Sequence, residues 1–249
     1  MRLSSLDKSL QVIELLSKCP QGISLSEMSD SLGYPNSTIH HILSTLRLYD
    51  YVAQDKETKK YALGYKFLEI SKTILAHIDI RKIAGKHLRE LYEATQEAVH
   101  LAVLRKRQVI YIDKSPTPGG LSLDTYIGFS TDPHAAAGGK VLLSELTSEE
   151  IKEIYRGRVL KKYGKNTITD LGLLCEELSK VRERGYALDD EEYYVGVRCV
   201  AAPVRAGGKI VAALSVTGSI FTMTMERIRR ELIPLVVKTG ESISNEMAW

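Results

Sequence analysis

The stretch Ser24 to Val52, SLSEMSDSLGYPNSTIHHILSTLRLYDYV, constrains this chain more than any other. It opens on Ser24 with Glu27 three residues later, the spacing at which two side chains satisfy each other's unpaired backbone donors at a helix start. Leu25, Met28 and Leu32 then share one face of a short helix. Gly33 supplies a tight turn, and Tyr34-Pro35 breaks the helix because the residue before proline is pushed out of the α region. A second helix follows, with Ile39, Ile42, Leu43 and Leu46 at i, i+3, i+4 and i+7.

The other face of that second helix carries Ser37, Thr38, His40, His41, Ser44, Thr45 and Arg47. These are short donors and acceptors with no long acid among them, a surface that can approach a polyanion and read base edges and phosphates. An ordinary helical bundle would also expose a polar face. The segment behind it favours DNA. Tyr51–Gln54 and Lys60–Leu63 read as a hairpin whose charged tip, Asp55–Lys59, makes a wing, and Lys56, Lys59 and Lys60 are its candidate backbone contacts.

Charge supports this only locally. The 249 residues carry a net +3, and residues 1–76 hold nine Lys and Arg against eight Asp and Glu. Any electrostatic footprint must come from Arg2, Lys8, Arg47 and the wing lysines. Three scattered cysteines, Cys19, Cys175 and Cys199, exclude a disulfide framework or a CxxC zinc site. No apolar run is long enough to span a bilayer. The start MRLSSLDKSLQ lacks the apolar core of a signal peptide, so a cytoplasmic protein is expected.

Taken in order, Leu6–Lys18 reads as a helix with Leu10, Ile13, Leu15 and Leu16 in helical spacing. Gly64–Ala98 is helical again, broken near Asp79-Ile80-Arg81, and its apolar residues suit a core or a dimer seam. At Val99 the period changes to two: Val99–Leu104 and Val109–Ile112 form a hairpin, with a third strand at Leu121–Tyr126. A helix is expected from Asp132-Pro133 through Leu143. Thr147 with Glu150 caps another over Ile151–Tyr155, and a third runs from Thr169 to Gly185. Strands return at Tyr186–Leu188, Arg198–Val204 and Ile210–Thr217. A closing helix starts near Thr224 and kinks near Pro234. The order predicts an α+β fold with a mostly antiparallel sheet.

Three segments could hold a ligand. His134–Lys140 puts small residues at a helix start, where backbone N–H groups favour anions; close helix–sheet packing explains them equally. Leu188–Cys199 is a charged loop running into a strand. Ser215-Val216-Thr217-Gly218 places two hydroxyls on one strand face, where buried hydroxyls need partners. HExxH, GxSxG and GxGxxG are absent. Gly138-Gly139-Lys140-Val141 is no P-loop, since His134 and Val141 occupy the positions of its first glycine and its magnesium-binding hydroxyl. No cofactor, metal or catalytic residue is expected.

Across both halves the chain resembles the IclR family of bacterial transcriptional regulators. The likeness rests on Ser24–Leu32, Pro35–Leu46 and Tyr61–Gly64. It continues through Val99–Leu101, Ile112–Lys114, His134–Lys140, Asp189–Val204 and Ser215–Gly218. Two departures stand out: Ala135–Ala137 lacks the hydroxyl common there, and Thr217 replaces a frequent serine. The resemblance implies a winged helix-turn-helix domain (1–64), a linker helix (65–78) and a GAF-like effector-binding domain (79–249). It implies a repressor of double-stranded operator DNA, acting as a homodimer or dimer of dimers. Its effector would be a carboxylate or aromatic-pathway intermediate held by Leu121, Leu123, Ala137, Gly138, Asp189, Cys199, Ser215 and Thr217. The rival readings are a small-molecule thiol or metal enzyme with an accessory DNA-binding module, and a winged domain that binds protein.

Overall fold

The computed structural model describes residues 4–76, 79–115 and 125–247. The chain divides into two compact units, residues 1–77 and 78–249. The first contains helices α1 (Ser4–Ser17), α2 (Leu25–Leu32) and α3 (Asn36–Leu48), the hairpin β1 (Val52–Gln54) and β2 (Tyr61–Leu63), and α4 (Lys66–Ala76).

Both expected boundaries of α2 form. The Glu27 N–H donates to Ser24 Oγ at 3.3 Å and the Ser24 N–H to Glu27 Oε2 at 2.8 Å. Gly33 closes the helix with φ 69°, its N–H on the Ser29 carbonyl. Met28, Ile39 and Leu43 are fully buried with Val52 and Tyr61 in one core. α1 contributes Val12 and Leu16 to it, whereas Leu10 is 52% exposed. Of the apolar positions expected on α1, Leu16 is buried and Ile13 and Leu15 are half-buried, and Val12, four residues before Leu16, completes the buried face.

The wing is held from outside the hairpin as well. Ile23 pairs with Tyr61 through both backbone bonds, N–H to carbonyl at 3.0 and 2.9 Å, and so adds a one-residue bridge to the edge of the hairpin. At the tip, Asp55 Oδ1 accepts the Glu57 and Thr58 N–H groups and the Thr58 hydroxyl. Lys59 takes φ 59° to close that turn.

The second unit contains α5 (Asp79–Thr95), β3 (Ala98–Arg105), β4 (Gln108–Lys114), β5 (Ser130–Thr131), α6 (Ala137–Leu143), α7 (Ser148–Tyr155) and α8 (Leu171–Arg184). It continues through β6 (Ala187–Asp190), β7 (Val197–Ala206), β8 (Lys209–Ser219), α9 (Met225–Arg227) and α10 (Ile233–Glu246). Strand order is β5-β4-β3-β8-β7-β6, every adjacent pair antiparallel. This is the α+β architecture expected from the period changes.

Alternation sorts the strand residues onto two faces. Val99, Leu101, Val200, Ala202, Leu214 and Val216 pack with α5 and α10. Ala102, Cys199, Ala201 and Ala213 pack with Ala137 and Val141 of α6. Pro203 stands beyond the last residue of β7 paired to β6, Ala201, so its missing N–H interrupts no ladder on that side.

Three expectations are corrected. Thr125 and Tyr126 are not in a strand; the neighbour of β4 is Ser130–Thr131, and residues 121–124 lie outside the described residues. Pro133–Ala136 is a turn, with α6 starting at Ala137, because the Ala135 N–H bonds back to the Asp132 carbonyl. α8 is capped by Asp170, whose side chain accepts the Leu173 N–H at 2.9 Å, one residue after Thr169. The kink before Pro234 is a π-helical turn over Ile228–Leu232, a wide turn beside a residue that cannot donate.

The paired glycines of α6 do different jobs. A Cβ on Gly139 would stand 2.2 Å from the Pro133 carbonyl oxygen, whereas one on Gly138 meets only Ala213 Cβ at 3.6 Å. Gly139→Ala should therefore destabilise the protein by roughly 1–3 kcal/mol or more, with Gly138→Ala close to wild type. Chemical denaturation of the two variants measures this.

Candidate nucleic-acid interface and ligand pocket

With Ile39 and Leu43 buried, the opposite side of α3 is open. Ser37, His40, His41, Ser44, Thr45 and Arg47 are exposed and Thr38 is half-buried. Not all of these groups are free to contact a ligand. The Thr45 hydroxyl donates to the His41 carbonyl at 3.1 Å, within its own helix. Arg47 Nη1 donates to Gln54 Oε1 at 3.0 Å, and Gln54 Nε2 donates to the Lys59 carbonyl at 3.1 Å. That chain ties the end of α3 to the wing tip, and Gln54 was not singled out from the sequence.

Lys56 and Lys59 are exposed at the wing tip. Lys60 stands apart from them, beside α2. Hydrogen bonds from the Ser24 side chain and backbone, and then the charge of Lys60, hold the Glu27 carboxyl below its usual range.

The second site lies on the α6 face of the large sheet. A cavity of about 30 Å³ is lined there by His100, Tyr111, Thr131, Asp189, Tyr193 and Cys199, among others. That is room for a water or two. Of the residues expected from the sequence, Ala137, Gly138, Asp189, Cys199 and Thr217 line it. Ser215 is buried behind them, opposite His100 in the β3–β8 ladder. Leu121 and Leu123 lie outside the described residues. His100, Tyr111, Thr131 and Tyr193 were not named for the site: His100 and Tyr193 fall within stretches of family likeness without being singled out, Tyr111 and Thr131 within none, and the strand register is what places His100 across from Ser215.

Burial sets the chemistry of this pocket. Asp189 is 6% exposed. Desolvation pushes its carboxyl up to about 7, with Glu192 adding to the rise, against the backbone N–H groups of Glu192 and Tyr193 and the charge of Lys140. Its Oδ1 accepts the Glu192 N–H at 2.7 Å. Burial, and then the charge of Lys114, hold His100 down at about 3, so this imidazole is neutral near pH 7. Its Nε2 shares a hydrogen bond with Thr125 Oγ1 at 2.9 Å.

Cys199 is pushed up to about 12, first by burial and then by Asp189. A thiol so held is protonated and a poor nucleophile at neutral pH. Thr217 Oγ1 donates to its sulfur at 3.2 Å. His134 points its interactions elsewhere: Nε2 donates to the Lys161 carbonyl at 3.0 Å, and the ring meets Tyr155 and Tyr163. Among the described residues, no hydrogen bond joins His134 to Cys199.

Beside the pocket, Lys140 Nζ and Glu192 Oε1 are 2.6 Å apart and almost completely buried. Glu192 also anchors the loop through its backbone carbonyl, which accepts from Thr167 Oγ1 and the Gly164 N–H. The loop bearing Tyr193 and Tyr194 is thus fastened from α6 on one side and from residues 164–167 on the other.

Comparison with known proteins covers both units. Residues 5–56 match the sequence family described as the IclR helix-turn-helix domain, and residues 72–245 the family described as bacterial transcriptional regulator IclR C-terminal. The HTH-type transcriptional regulator XynR of Escherichia coli (strain K12) is 35% identical over 218 residues, 86% of each chain. The DNA-binding transcriptional repressor YiaJ of the same organism is 31% identical, over 98% of this chain and 88% of its own. The crystal structure of the Thermotoga maritima IclR is similar along the full length of both chains, with TM-score 0.78 and 30% identity.

The unusual acidity of Asp189 makes a stability prediction. A carboxyl whose pKa is raised on folding costs nothing below its unfolded pKa of about 4. The cost grows as pH rises through the window up to about 7 and is complete above it. Asp189→Asn keeps the acceptor for the Glu192 N–H without the charge. Its stability relative to wild type should improve between pH 4 and pH 8, by roughly 4 kcal/mol at most. Paired urea titrations at the two pH values measure the change.

Proposed function

The chain belongs to the IclR family of bacterial transcriptional regulators, and we propose that it is a cytoplasmic repressor whose hold on operator DNA is set by a small metabolite. The observation that carries the DNA-binding assignment is the exposed donor face of α3 with the wing fixed beside it through Arg47, Gln54 and Lys59. In this reading α3 enters the major groove, and Ser37, Thr38, His40, His41 and Ser44 meet base edges. Arg47, oriented by Gln54, and Lys56 and Lys59 meet the phosphate backbone. Thr45 and Lys60 contribute less, since the first bonds its own helix and the second stands at α2.

The effector is a carboxylate or an aromatic-pathway intermediate, bound by Ala137, Gly138, Asp189, Cys199, Ser215 and Thr217 with His100 and Tyr111. Entry requires the small cavity to widen, and the loop carrying Tyr193 is the element that would move. A ligand shifts DNA affinity only by the difference in its affinity for the two arrangements. Tyr65, Leu68 and Ile74, 82%, 64% and 58% exposed on and beside α4, are apolar surface that a twofold partner would cover at least in part. A homodimer, or a dimer of dimers, reading two half-sites follows. A thiol or metal enzyme carrying a DNA module finds no support in a protonated Cys199 thiol.

Lys59→Ala should weaken binding to every operator sequence alike, and should flatten the plot of log affinity against log salt by about one unit of slope. Losses that differ between operator sequences would assign Lys59 to base readout instead. Asp189→Ala and Ser215→Ala should each abolish ligand-induced release of operator, read by fluorescence anisotropy, with DNA still bound in the absence of ligand. Unchanged ligand affinity in both variants would remove the pocket from this account.

A further inference from the structure

The pocket carries an acid and no cation of its own. Asp189 reaches it from β6, and the charged or titratable groups that bear on it are Lys140 of α6, Glu192 and Tyr193 of its own loop, Cys199 of β7 and Tyr111 of β4. Lys140 is committed to Glu192 at 2.6 Å. Lys114, behind His100, donates to the Thr125 carbonyl at 3.0 Å. Among the described residues, no lysine or arginine lines the cavity. Residues 116–124, PTPGGLSLD, contain neither residue type. Two polar atoms of the lining, His100 Nδ1 and Thr131 Oγ1, are buried with no hydrogen-bond partner.

A carboxylate ligand would therefore meet an anion rather than a counter-ion. We infer that an anionic ligand enters this pocket together with one proton, which Asp189 carries, so that the site is built for weak acids and its occupancy is coupled to pH. The inference rests on the effector-pocket reading above. The protonated Asp189 hydroxyl donates to the ligand carboxylate, while His100 Nδ1–H donates when its Nε2 accepts the Thr125 hydroxyl. Thr131 Oγ1 supplies a further donor. The proton comes from solvent: ionised Asp189, ligand anion and one proton give a complex that keeps one negative charge, held on the ligand, and the only covalent change is the O–H bond formed at Asp189.

Burial places the carboxyl of the empty pocket at about 7. Below that pH the proton is already in place and affinity for a carboxylate is level. Above it, binding must draw the proton from solvent, and affinity falls up to about tenfold per pH unit. His100, held at about 3, stays neutral throughout this range and does not contribute to the slope.

The test uses the full chain and a panel of benzoate, 4-hydroxybenzoate, pyruvate and gluconate, each beside its amide. Thermal shift and calorimetry are run at pH 5.5 and 8.5. The best carboxylate should bind about thirty-fold more weakly at pH 8.5. At pH 7, calorimetry in two buffers of different ionisation enthalpy should show uptake of roughly half a proton. In Asp189→Asn, carboxylate affinity should be independent of pH; if that variant does not fold, the wild-type proton count decides. Affinity that is level or rising with pH, or binding without proton uptake, overturns the inference and leaves the effector pocket standing. Amides that bind where their acids fail at both pH values do the same. A panel silent at pH 5.5 overturns the inference and the carboxylate effector together, while operator binding tests the regulator separately.

Discussion

Strand β8 is buried on both faces, and the second unit is arranged around that constraint. β8 pairs with β3 on one side and β7 on the other, so its backbone is satisfied within the sheet. Its side chains must then satisfy two different environments by alternation alone. Ala212, Leu214 and Val216 close one core against α5 and α10. Ala213, Ser215 and Thr217 point to the other face, where α6 leaves room and where two hydroxyls find partners. A one-residue slip in register would exchange these sets, burying both hydroxyls in a hydrocarbon core and taking Thr217 out of the cavity.

The polar side of that sheet concentrates groups that would be costly to bury singly. Asp189, His100, Cys199 and the Lys140–Glu192 pair all lie at or below 8% exposure. Only the last two offset each other as an ion pair, and even there Glu192 Oε2 has no partner. Breaking such a pair leaves a buried charge behind, which makes it an effective fastener even where its net contribution to stability is small. It fixes the loop that bears Tyr193, and that loop forms one wall of the cavity. Fastener and cavity wall thus share a few residues, so any movement of that wall must also act on the ion pair.

The smaller unit uses less burial and more local hydrogen bonding. Its core is a single cluster around Met28, Ile39 and Leu43, and its working surface is held by short-range devices: the Ser24–Glu27 box, the Gly33 turn and the Asp55-capped tip. The Arg47–Gln54–Lys59 chain is the exception, joining α3 to the wing across the hairpin. It gives the arginine a defined direction at the cost of one of its donors.

What the sequence determined by itself was local. Helix starts and stops followed from capping pairs and glycine, because Ser24, Thr147, Gly33 and Gly185 act through bonds spanning three to five residues. The hairpins followed from a period of two, and the polar face of α3 from its period of 3.6. Motif likeness was enough to name Asp189, Cys199 and Thr217 as neighbours of one site. Tertiary structure decided the rest. Apolar spacing on α1 did not say which of its residues meet the core, and packing buried Val12 and Leu16 while leaving Leu10 exposed. The start of α6 moved from Pro133 to Ala137 because the Asp132 carbonyl captured the Ala135 N–H. His100 and Tyr111 entered the pocket through pairing between strands far apart in the chain. The acidity of Asp189 belongs to burial, and burial is a property of the packed sheet and loop together that no short stretch of residues contains.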